Sequence, residues 1–443
     1  MHGNCRYVKS TWISAAAAVA ALALPGLAPA EIVAPTQADA TLAVARDGSP
    51  RVAFLSQRDV VVGRRTTTRW VFTRVGRAPK TNAFVAGLVV DGRGRTSVLV
   101  EAEDGAWLAL AASGGRLRIV ARPRRGASFG PAGLTLDAAG RPAFAYVLRL
   151  ASTRSWLRLV TRDRRGNLKT HGITRGGFPS SELAPGAAPV LVGRSLHVVE
   201  TYTSSAIDWR PKRGGGWEGQ FIFSSVRGSP QGHVGAVYQG GTLWAAWTQI
   251  TPELGSIDVV LASSAETQES WFLSHGILVS IARGPNEPLI GAYDWVDLAD
   301  DWREYAALVI LGPRSAAWQL DGRLDGVAAG PNGEQHVLLS TESGLEWFHA
   351  PALPAIEVRM AVAEDGHVNG AVIGATSGVV AIYRELPHAP RQLVATAEVQ
   401  PDSSYTADVP PPTSGMLYRA VYRDSQTGIP FAFLPGVPVG VSN

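Results

Sequence analysis

The segment GLTLDAAGRPAFAYV, from Gly133 to Val147, joins two short apolar runs through a polar turn. The second run carries bulky residues at alternate positions, Phe144 and Tyr146. Such alternation over a few residues is typical of β-strands, and a short connection containing Asp and Gly is typical of a hairpin. The segment therefore predicts a pair of antiparallel strands.

The same hairpin pattern recurs along the chain. Its strongest copies are 46 residues apart, and the turn glycines are Gly48, Gly94, Gly140, Gly193, Gly240, Gly284 and Gly330. In each unit a strand of small residues precedes the turn, a bulkier strand follows it, and two further short strands come after. The pattern indicates seven repeated units between about residues 40 and 350.

Four short strands in a unit of this length are typical of a β-propeller blade. Small residues in the first strand suit the crowded position where all blades converge on the axis. The sequence therefore predicts an all-β protein with a seven-bladed β-propeller over residues 31–353. The seventh unit is one strand short because the proline-rich segment Ala350–Pro354 cannot continue it, so we expect Ile32–Ala34 to supply its outer strand.

The pattern changes after Pro354, where tryptophan is absent and five strand-like segments follow: Val379–Arg384, Gln392–Glu398, Ser403–Val409, Leu417–Tyr422 and Val437–Val441. These segments resemble the successive strands of a bacterial Ig-like domain of the fibronectin-type-III-like kind. The resemblance implies an Ig-like β-sandwich over residues 354–443 and an extracellular setting. Tyr418 is either a tyrosine corner, whose hydroxyl bonds to upstream backbone, or a plain core residue. The sequence departs from the family's pattern at Asp402–Ser404, where a turn that contains glycine is more typical.

The first 30 residues are typical of a secretory signal peptide. Arg6 and Lys9 precede an apolar run from Trp12 to Leu24, which is too short to span a membrane, and Ala28-Pro29-Ala30 has the form of a cleavage site. We expect a secreted, extracellular or cell-surface protein with no transmembrane segment after cleavage. The one cysteine, Cys5, leaves with the signal, so we expect neither disulfides nor a cysteine metal site.

Charge is distributed unevenly along the chain. Residues 31–176 contain 25 Lys and Arg against 10 Asp and Glu, whereas residues 177–443 contain 14 against 27. One interpretation is an arginine-rich face for an anionic partner, such as an acidic glycan or an envelope polymer. The other is a solvated surface with an arginine-biased composition. Export argues against a nucleic-acid partner.

Five residues of units 4 and 5 are candidates for catalysis: His197, Tyr202, Arg210, His233 and Tyr238. A polysaccharide lyase needs a general base, a general acid and a cation that neutralises the uronate. The alternative is that such histidines are structural residues within strands. The turns that a sialidase-like enzyme would carry, of the form Ser-x-Asp-x-Gly-x-x-Trp, are absent from the sequence.

Four tryptophans are candidates for ligand binding: Trp209, Trp217, Trp295 and Trp302. Each lies beside charged residues and offers a stacking face, but packing between blades would use the same side chains. The acidic stretch Asp294–Glu304 lacks the spacing of a calcium loop, so we expect a solvated connection between strands there. We predict no metal and no cofactor.

Together these features predict a monomeric, non-catalytic binding protein that recognises an extracellular glycan, an envelope polymer or a protein through one face of the propeller. The alternative is a carbohydrate-active enzyme on the same scaffold, either a polysaccharide lyase or a sialidase-like glycosidase. An enzyme would bring titratable groups together in the central depression, whereas a binding protein would present aromatic and fixed polar groups there.

Overall fold

The computed structural model describes residues 31–34, 40–79, 82–112, 116–123, 125–150, 155–174, 186–202, 205–224, 229–251, 256–265, 270–298, 301–312, 317–386, 389–413 and 416–433. The predicted signal peptide lies outside these residues. Within them every regular element is a β-strand, which confirms the all-β prediction, and no helix is long and apolar enough to cross a membrane.

Seven antiparallel units, each a meander of neighbouring strands, follow one another through the described residues. Unit 1 consists of β2 (Ala40–Val44), β3 (Pro50–Ser56), β4 (Asp59–Arg65) and β5 (Trp70–Arg77). Unit 2 consists of β6 (Ala83–Val90), β7 (Thr96–Ala102), β8 (Leu108–Ala112) and β9 (Arg118–Ala121). Unit 3 consists of β11 (Gly133–Leu136), β12 (Pro142–Arg149), β13 (Ser155–Arg162) and β14 (Leu168–Gly172), with the short β10 (Ser128–Phe129) also paired to β12.

The remaining units repeat this order. Unit 4 consists of β15 (Ala187–Val192), β16 (Ser195–Tyr202), β17 (Ser205–Pro211) and β18 (Trp217–Ser224). Unit 5 consists of β19 (Ser229–Gln239), β20 (Thr242–Thr251), β21 (Ser256–Ser263) and β22 (Ser270–His275). Unit 6 consists of β23 (Ile277–Ala282), β24 (Leu289–Leu298), β25 (Asp301–Leu311) and β26 (Ala317–Leu320). Unit 7 consists of β27 (Arg323–Ala329), β28 (Gln335–Thr341), β29 (Gly344–Ala350) and β1 (Glu31–Ala34).

The N-terminal strand β1 completes unit 7, as the sequence predicts for Ile32–Ala34. It pairs with β29, Glu31 opposite Trp347 and Ile32 opposite Glu346. The Glu31 carboxylate also forms an ion pair with Arg65 of unit 1. The start of the described chain thus joins the last unit to the first.

The units contact one another in cyclic order through their first strands. Strand β2 contacts β6, the series continues through β11, β15, β19, β23 and β27, and β27 contacts β2 again. Glycines in these strands allow the close approach, since a Cβ on Gly235 would lie 2.4 Å from Ile281 and one on Gly326 would lie 3.2 Å from Leu42. Buried apolar clusters fill the seams between neighbouring units.

Seven further strands follow unit 7: β30 (Glu357–Val362), β31 (His367–Ile373), β32 (Val379–Glu385), β33 (Gln392–Glu398), β34 (Ser404–Asp408), β35 (Leu417–Arg423) and β36 (Pro430–Phe433). They form two sheets, of order β30-β31-β34 and β33-β32-β35-β36, with one apolar cluster between them. The Tyr418 hydroxyl donates to the Pro410 carbonyl, so this residue makes the contact of a tyrosine corner. The predicted strand Val437–Val441 lies outside the described residues.

The C-terminal sheets are joined to unit 6 rather than tethered beside it. Strand β36 pairs with β26 at Phe431 and Leu320, which makes one continuous sheet of eight strands. Next to that pairing, Asp321 accepts hydrogen bonds from Arg391 at 2.8 Å and Arg419 at 2.6 Å. Burial opposes ionisation of Asp321, but the two guanidinium groups outweigh it and lower the pKa of this carboxyl. A buried ion cluster therefore locks the two regions together.

Candidate functional site

One end of the seven units gathers the turns that join first and second strands, and we call this end the turn face. Because the first strands contact one another in cyclic order, these turns lie together around a common centre. The turns of units 1, 6 and 7 enclose a depression of about 540 Å³ there. Its lining residues are Val44, Ala45, Arg46, Arg283, Gly284, Pro285, Ala329, Gly330, Pro331, Asn332 and Gly333.

Exposed arginines lie in the turns of this face, and two of them line the depression. Arg46 and Arg283 line it from units 1 and 6, and Arg93 and Arg194 occupy the corresponding turns of units 2 and 4. All four side chains are exposed, and none of them forms an ion pair with a carboxylate among the described residues. The turn face therefore presents cations that are available to an anion from solution.

The carboxylates of the same turns instead accept hydrogen bonds from backbone amides. Asp91 accepts hydrogen bonds at 2.9 Å from the amides of Arg93 and Arg95, and Asp137 does the same for Ala139 and Arg141. Burial opposes ionisation of Asp91, but the hydrogen bonds from Arg95 and Arg93 outweigh it and lower its pKa. The hydrogen bonds of each such aspartate stay within its own turn.

The aspartates hold turns whose glycines need a left-handed backbone. Gly94 and Gly140 have φ of +75° and +70°, values that side chains disfavour. An Asp at the start of the turn and a Gly near its end thus explain why this short motif recurs in the sequence. The motif shapes the turn face, and the arginines beside it supply the charge.

The five candidate catalytic residues lie at both ends of their units. His197 is at the turn-face end of β16, where its Nδ1 lies 3.0 Å from Asp208, and Tyr238 is at the same end of β19. Arg210 is exposed on β17 and hydrogen-bonds Glu218 at 2.5 Å. His233 is at the far end of β19; the far end of β16 holds Tyr202, whose side chain lies outside the described residues.

His233 instead takes part in a contact across the centre. Its ring meets that of Phe84, on the first strand of unit 2, edge to face with centroids 6.0 Å apart. Burial lowers the pKa of His233, so the imidazole is neutral near pH 7. The described contacts of the two histidines are therefore with Asp208 and Phe84, and not with a candidate tyrosine.

Two of the predicted binding tryptophans, Trp209 and Trp217, are half-buried against the apolar cluster between units 3 and 4. The indole N–H of Trp209 donates to Glu200 at 2.9 Å. Their described contacts are those of packing between units. Any stacking on a ligand would use only the exposed parts of these rings.

The backbones of Trp295 and Trp302 lie on the paired strands β24 and β25, and their side chains are outside the described residues. The acidic stretch around them is thus mainly a strand hairpin, with Trp295 opposite Glu304, and not the connection that the sequence predicts. Pairing between β24 and β25 along the whole hairpin outweighs the high charge there. Among the described residues, no group of three His, Cys, Asp or Glu side chains could hold a metal ion.

Sequence reasoning did not identify three buried acids at the end of the units opposite the turn face. Burial raises the pKa of Glu101 to about 8, that of Glu200 to about 7 and that of Asp325 to about 6. Glu101 accepts the Ala132 amide at 3.2 Å, and Asp325 accepts the Ser340 hydroxyl at 2.6 Å and the Ala40 amide at 3.4 Å. The available signal was a single acid in an apolar run, as in Val98-Leu-Val-Glu101.

Comparison with known proteins identifies no family. No family model matches the chain, and no curated protein matches it. Among solved structures, the chain is similar to an Aleuria aurantia lectin complexed with Fucα1-6GlcNAc, at 11% identity and a TM-score of 0.37 over 72% of this chain and 93% of that one. A putative gluconolactonase matches at 14% identity and a TM-score of 0.35, over 73% of this chain and 93% of that one. A Synechocystis apocarotenoid oxygenase matches at 11% identity and a TM-score of 0.41, over 87% of this chain and 94% of that one. Likenesses this weak carry no conclusion about a ligand.

Proposed function

We propose that this protein is an exported binding protein that captures an anionic glycan or envelope polymer on its turn face. The seven units are the blades of a seven-bladed β-propeller over residues 31–353, and residues 354–443 form an Ig-like sandwich. The cyclic contacts of the first strands support the propeller. The three-plus-four strand order and the hydrogen bond of Tyr418 support the sandwich.

The observation that carries the proposal is that the cations on the turn face are exposed, whereas its carboxylates are hydrogen-bonded within their own turns. Arg46 and Arg283 are exposed at the depression, and Arg93 and Arg194 are exposed in the corresponding turns of units 2 and 4. The nearby carboxylates, such as Asp91 and Asp137, are bonded within their own turns. A ligand that carries several negative charges can therefore contact several arginines at once without displacing an existing partner.

The spacing of the arginines favours a polymer over a small anion. They project from units 1, 2, 4 and 6, so a single carboxylate cannot reach all of them. Exposed ion pairs are weak individually, and a repeating anion adds their contributions. Binding is favoured over catalysis because the described contacts of the two candidate histidines are with Asp208 and Phe84 and not with a candidate tyrosine.

The test is binding of residues 31–443 to immobilised polygalacturonate, measured by biolayer interferometry. The variant Arg46→Gln, Arg93→Gln, Arg283→Gln removes three cations from the turn face. Its matched control, Arg77→Gln, Arg122→Gln, Arg125→Gln, removes three exposed arginines from the opposite end. Three ion pairs of about 0.5 kcal/mol each predict a loss of about tenfold in affinity for the first variant.

The control variant should stay within about twofold of the unmodified protein, and higher salt should weaken binding of the unmodified protein most. Equal losses in the two variants would mean that net charge, and not the turn face, attracts the polymer. Absence of binding to any polyanion would contradict the proposal.

A further inference from the structure

The seam between units 7 and 1 contains a continuous strip of aromatic side chains. In unit 7 three rings lie side by side, with centroids 5.7 Å apart for His336 and Trp347, 4.7 Å for Trp347 and His349, and 5.9 Å for His336 and His349. Trp70 of unit 1 meets Trp347 edge to face at 5.8 Å and stacks on Phe72 at 6.5 Å. The aromatic rings of units 7 and 1 are thus in contact with one another across the seam.

The outer end of this aromatic strip is open to solvent. Phe72 is 43% exposed, and His349 is exposed as well. Among the described residues, strand β1 pairs with β29 from Leu345 to Trp347 and does not reach His349. Phe72 lies flat on its sheet because its partner is Gly63, where a Cβ would come within 2.8 Å of the ring.

Polar atoms without partners cluster inside the same strip. Among the described residues, the indole N–H groups of Trp70 and Trp347 and both ring nitrogens of His336 are buried with no hydrogen-bond partner. Buried donors normally find partners, and a cluster of exceptions indicates a missing water or ligand.

The aromatic strip adjoins the arginine-lined depression. His336 Nε2 lies 4.0 Å from the carboxylate of Glu334, which directly follows the turn Gly330–Gly333 that lines the depression. At the outer end, the exposed Arg69 directly precedes Trp70. A chain that leaves the depression along this seam therefore meets aromatic faces and a further cation.

We propose that the aromatic strip is a subsite for pyranose rings, so that the polymer bound on the turn face is an acidic polysaccharide. This inference rests on the proposed function and narrows it. Aromatic rings stack on the apolar faces of sugars, their polar N–H groups bond hydroxyls, and arginines bind the carboxylates. A polyphosphate carries negative charges but has no sugar rings.

Two polymers and three variants test the subsite by biolayer interferometry. Phe72→Ala with His349→Ala removes the exposed end of the aromatic strip, and Phe221→Ala, at a 59% exposed aromatic of unit 4, is the control. The double variant should bind polygalacturonate about tenfold more weakly and bind polyphosphate unchanged. The triple arginine variant should bind both polymers more weakly, and Phe221→Ala should change neither affinity.

Retained affinity of the double variant for polygalacturonate would overturn the inference, and so would an equal loss for polyphosphate or an equal loss in Phe221→Ala. In those cases binding of both polymers by the unmodified protein would leave the proposed function intact. If the unmodified protein bound neither polymer, the proposed function would fail and the subsite with it. Matched circular dichroism spectra of the variants confirm that each is folded.

Discussion

The two ends of the seven units use carboxylates in opposite ways. At the turn face Asp91 and Asp137 are caps whose hydrogen bonds stay within one turn. At the opposite end Glu101 and Asp325 are buried acids, and both accept backbone amides from the neighbouring unit. The difference indicates a division of roles, because one end leaves its cations available to solution while the other end uses its acids to hold the units together.

The largest effect is expected at the acid that joins unit 7 to unit 1. Replacing Asp325 with Ala leaves the Ala40 amide, the Ser340 hydroxyl and the Arg323 guanidinium without this partner. Buried groups that lose a charged partner cost about 3 kcal/mol in the free energy of unfolding, measured by urea denaturation. A loss below about 1 kcal/mol would show that Asp325 does not hold this seam.

The next effect in size is expected in the pH dependence of stability, which should differ between the two ends. A carboxyl whose pKa is higher in the folded state contributes stability at low pH that is lost as the pH rises towards the folded pKa. Burial raises the pKa of Glu101 to about 8 and that of Glu200 to about 7. Between pH 5 and pH 8 the free energy of unfolding should therefore fall as the pH rises, because the folded protein binds more protons than the unfolded chain in this range.

The double variant Glu101→Gln, Glu200→Gln should reduce the loss of free energy of unfolding with rising pH, because a neutral amide does not titrate. Asp91→Asn, at a cap of the turn face whose hydrogen bonds lower its pKa, is the control and should leave the slope unchanged in this range. Urea unfolding at several pH values measures both. An unchanged slope in the double variant would break the contrast between the two ends.

A smaller effect is expected at the caps. Asp137→Ala removes hydrogen bonds to the amides of Ala139 and Arg141 in one exposed turn. The expected cost is about 1 kcal/mol, comparable to the loss of a helix cap. Affinity for polygalacturonate should not fall, since the change removes a negative charge from the turn face. A weaker affinity would mean that the cap also positions the ligand.

The smallest effect on stability is expected at the exposed arginines. Arg93→Gln at the turn face and Arg122→Gln at the opposite end should each change the melting temperature by less than about 2 °C, as surface substitutions do. Only Arg93→Gln should weaken polymer binding. If Arg93→Gln destabilised the protein markedly, its role would be structural and the division between the two ends would need revision.

The repeated hairpins were predictable because their signals are local. Alternating apolar residues and the Asp-to-Gly turns, with Gly94 and Gly140 at positive φ, specify strand pairs within a dozen residues. The short seventh unit predicted its missing strand at Ile32–Ala34, and the pairing of β1 with β29 confirms it. Ser403 takes a left-handed φ of +71° in a turn where the sequence lacks the usual glycine.

The candidate site was less predictable because closeness in sequence says little about which end of a strand a residue occupies. His197 and His233 are 36 residues apart, yet strand direction places them at opposite ends of neighbouring units. The acidic stretch at Trp295 showed high charge, which favours a loop, but cross-strand pairing made it a hairpin. The outcome depended on long-range register, which no short window of sequence contains.

The sequence by itself determined the all-β class, the period of the units and the surplus of arginine in residues 31–176, since these depend on composition and on neighbours along the chain. Only the tertiary structure decided which arginines line one depression, which acids became buried, and that Trp70 meets Trp347 across the seam between the first and last units. Those contacts join residues nearly 300 positions apart. They form because the first strands of all the units pack in cyclic order, a property of the whole chain and of no single repeat.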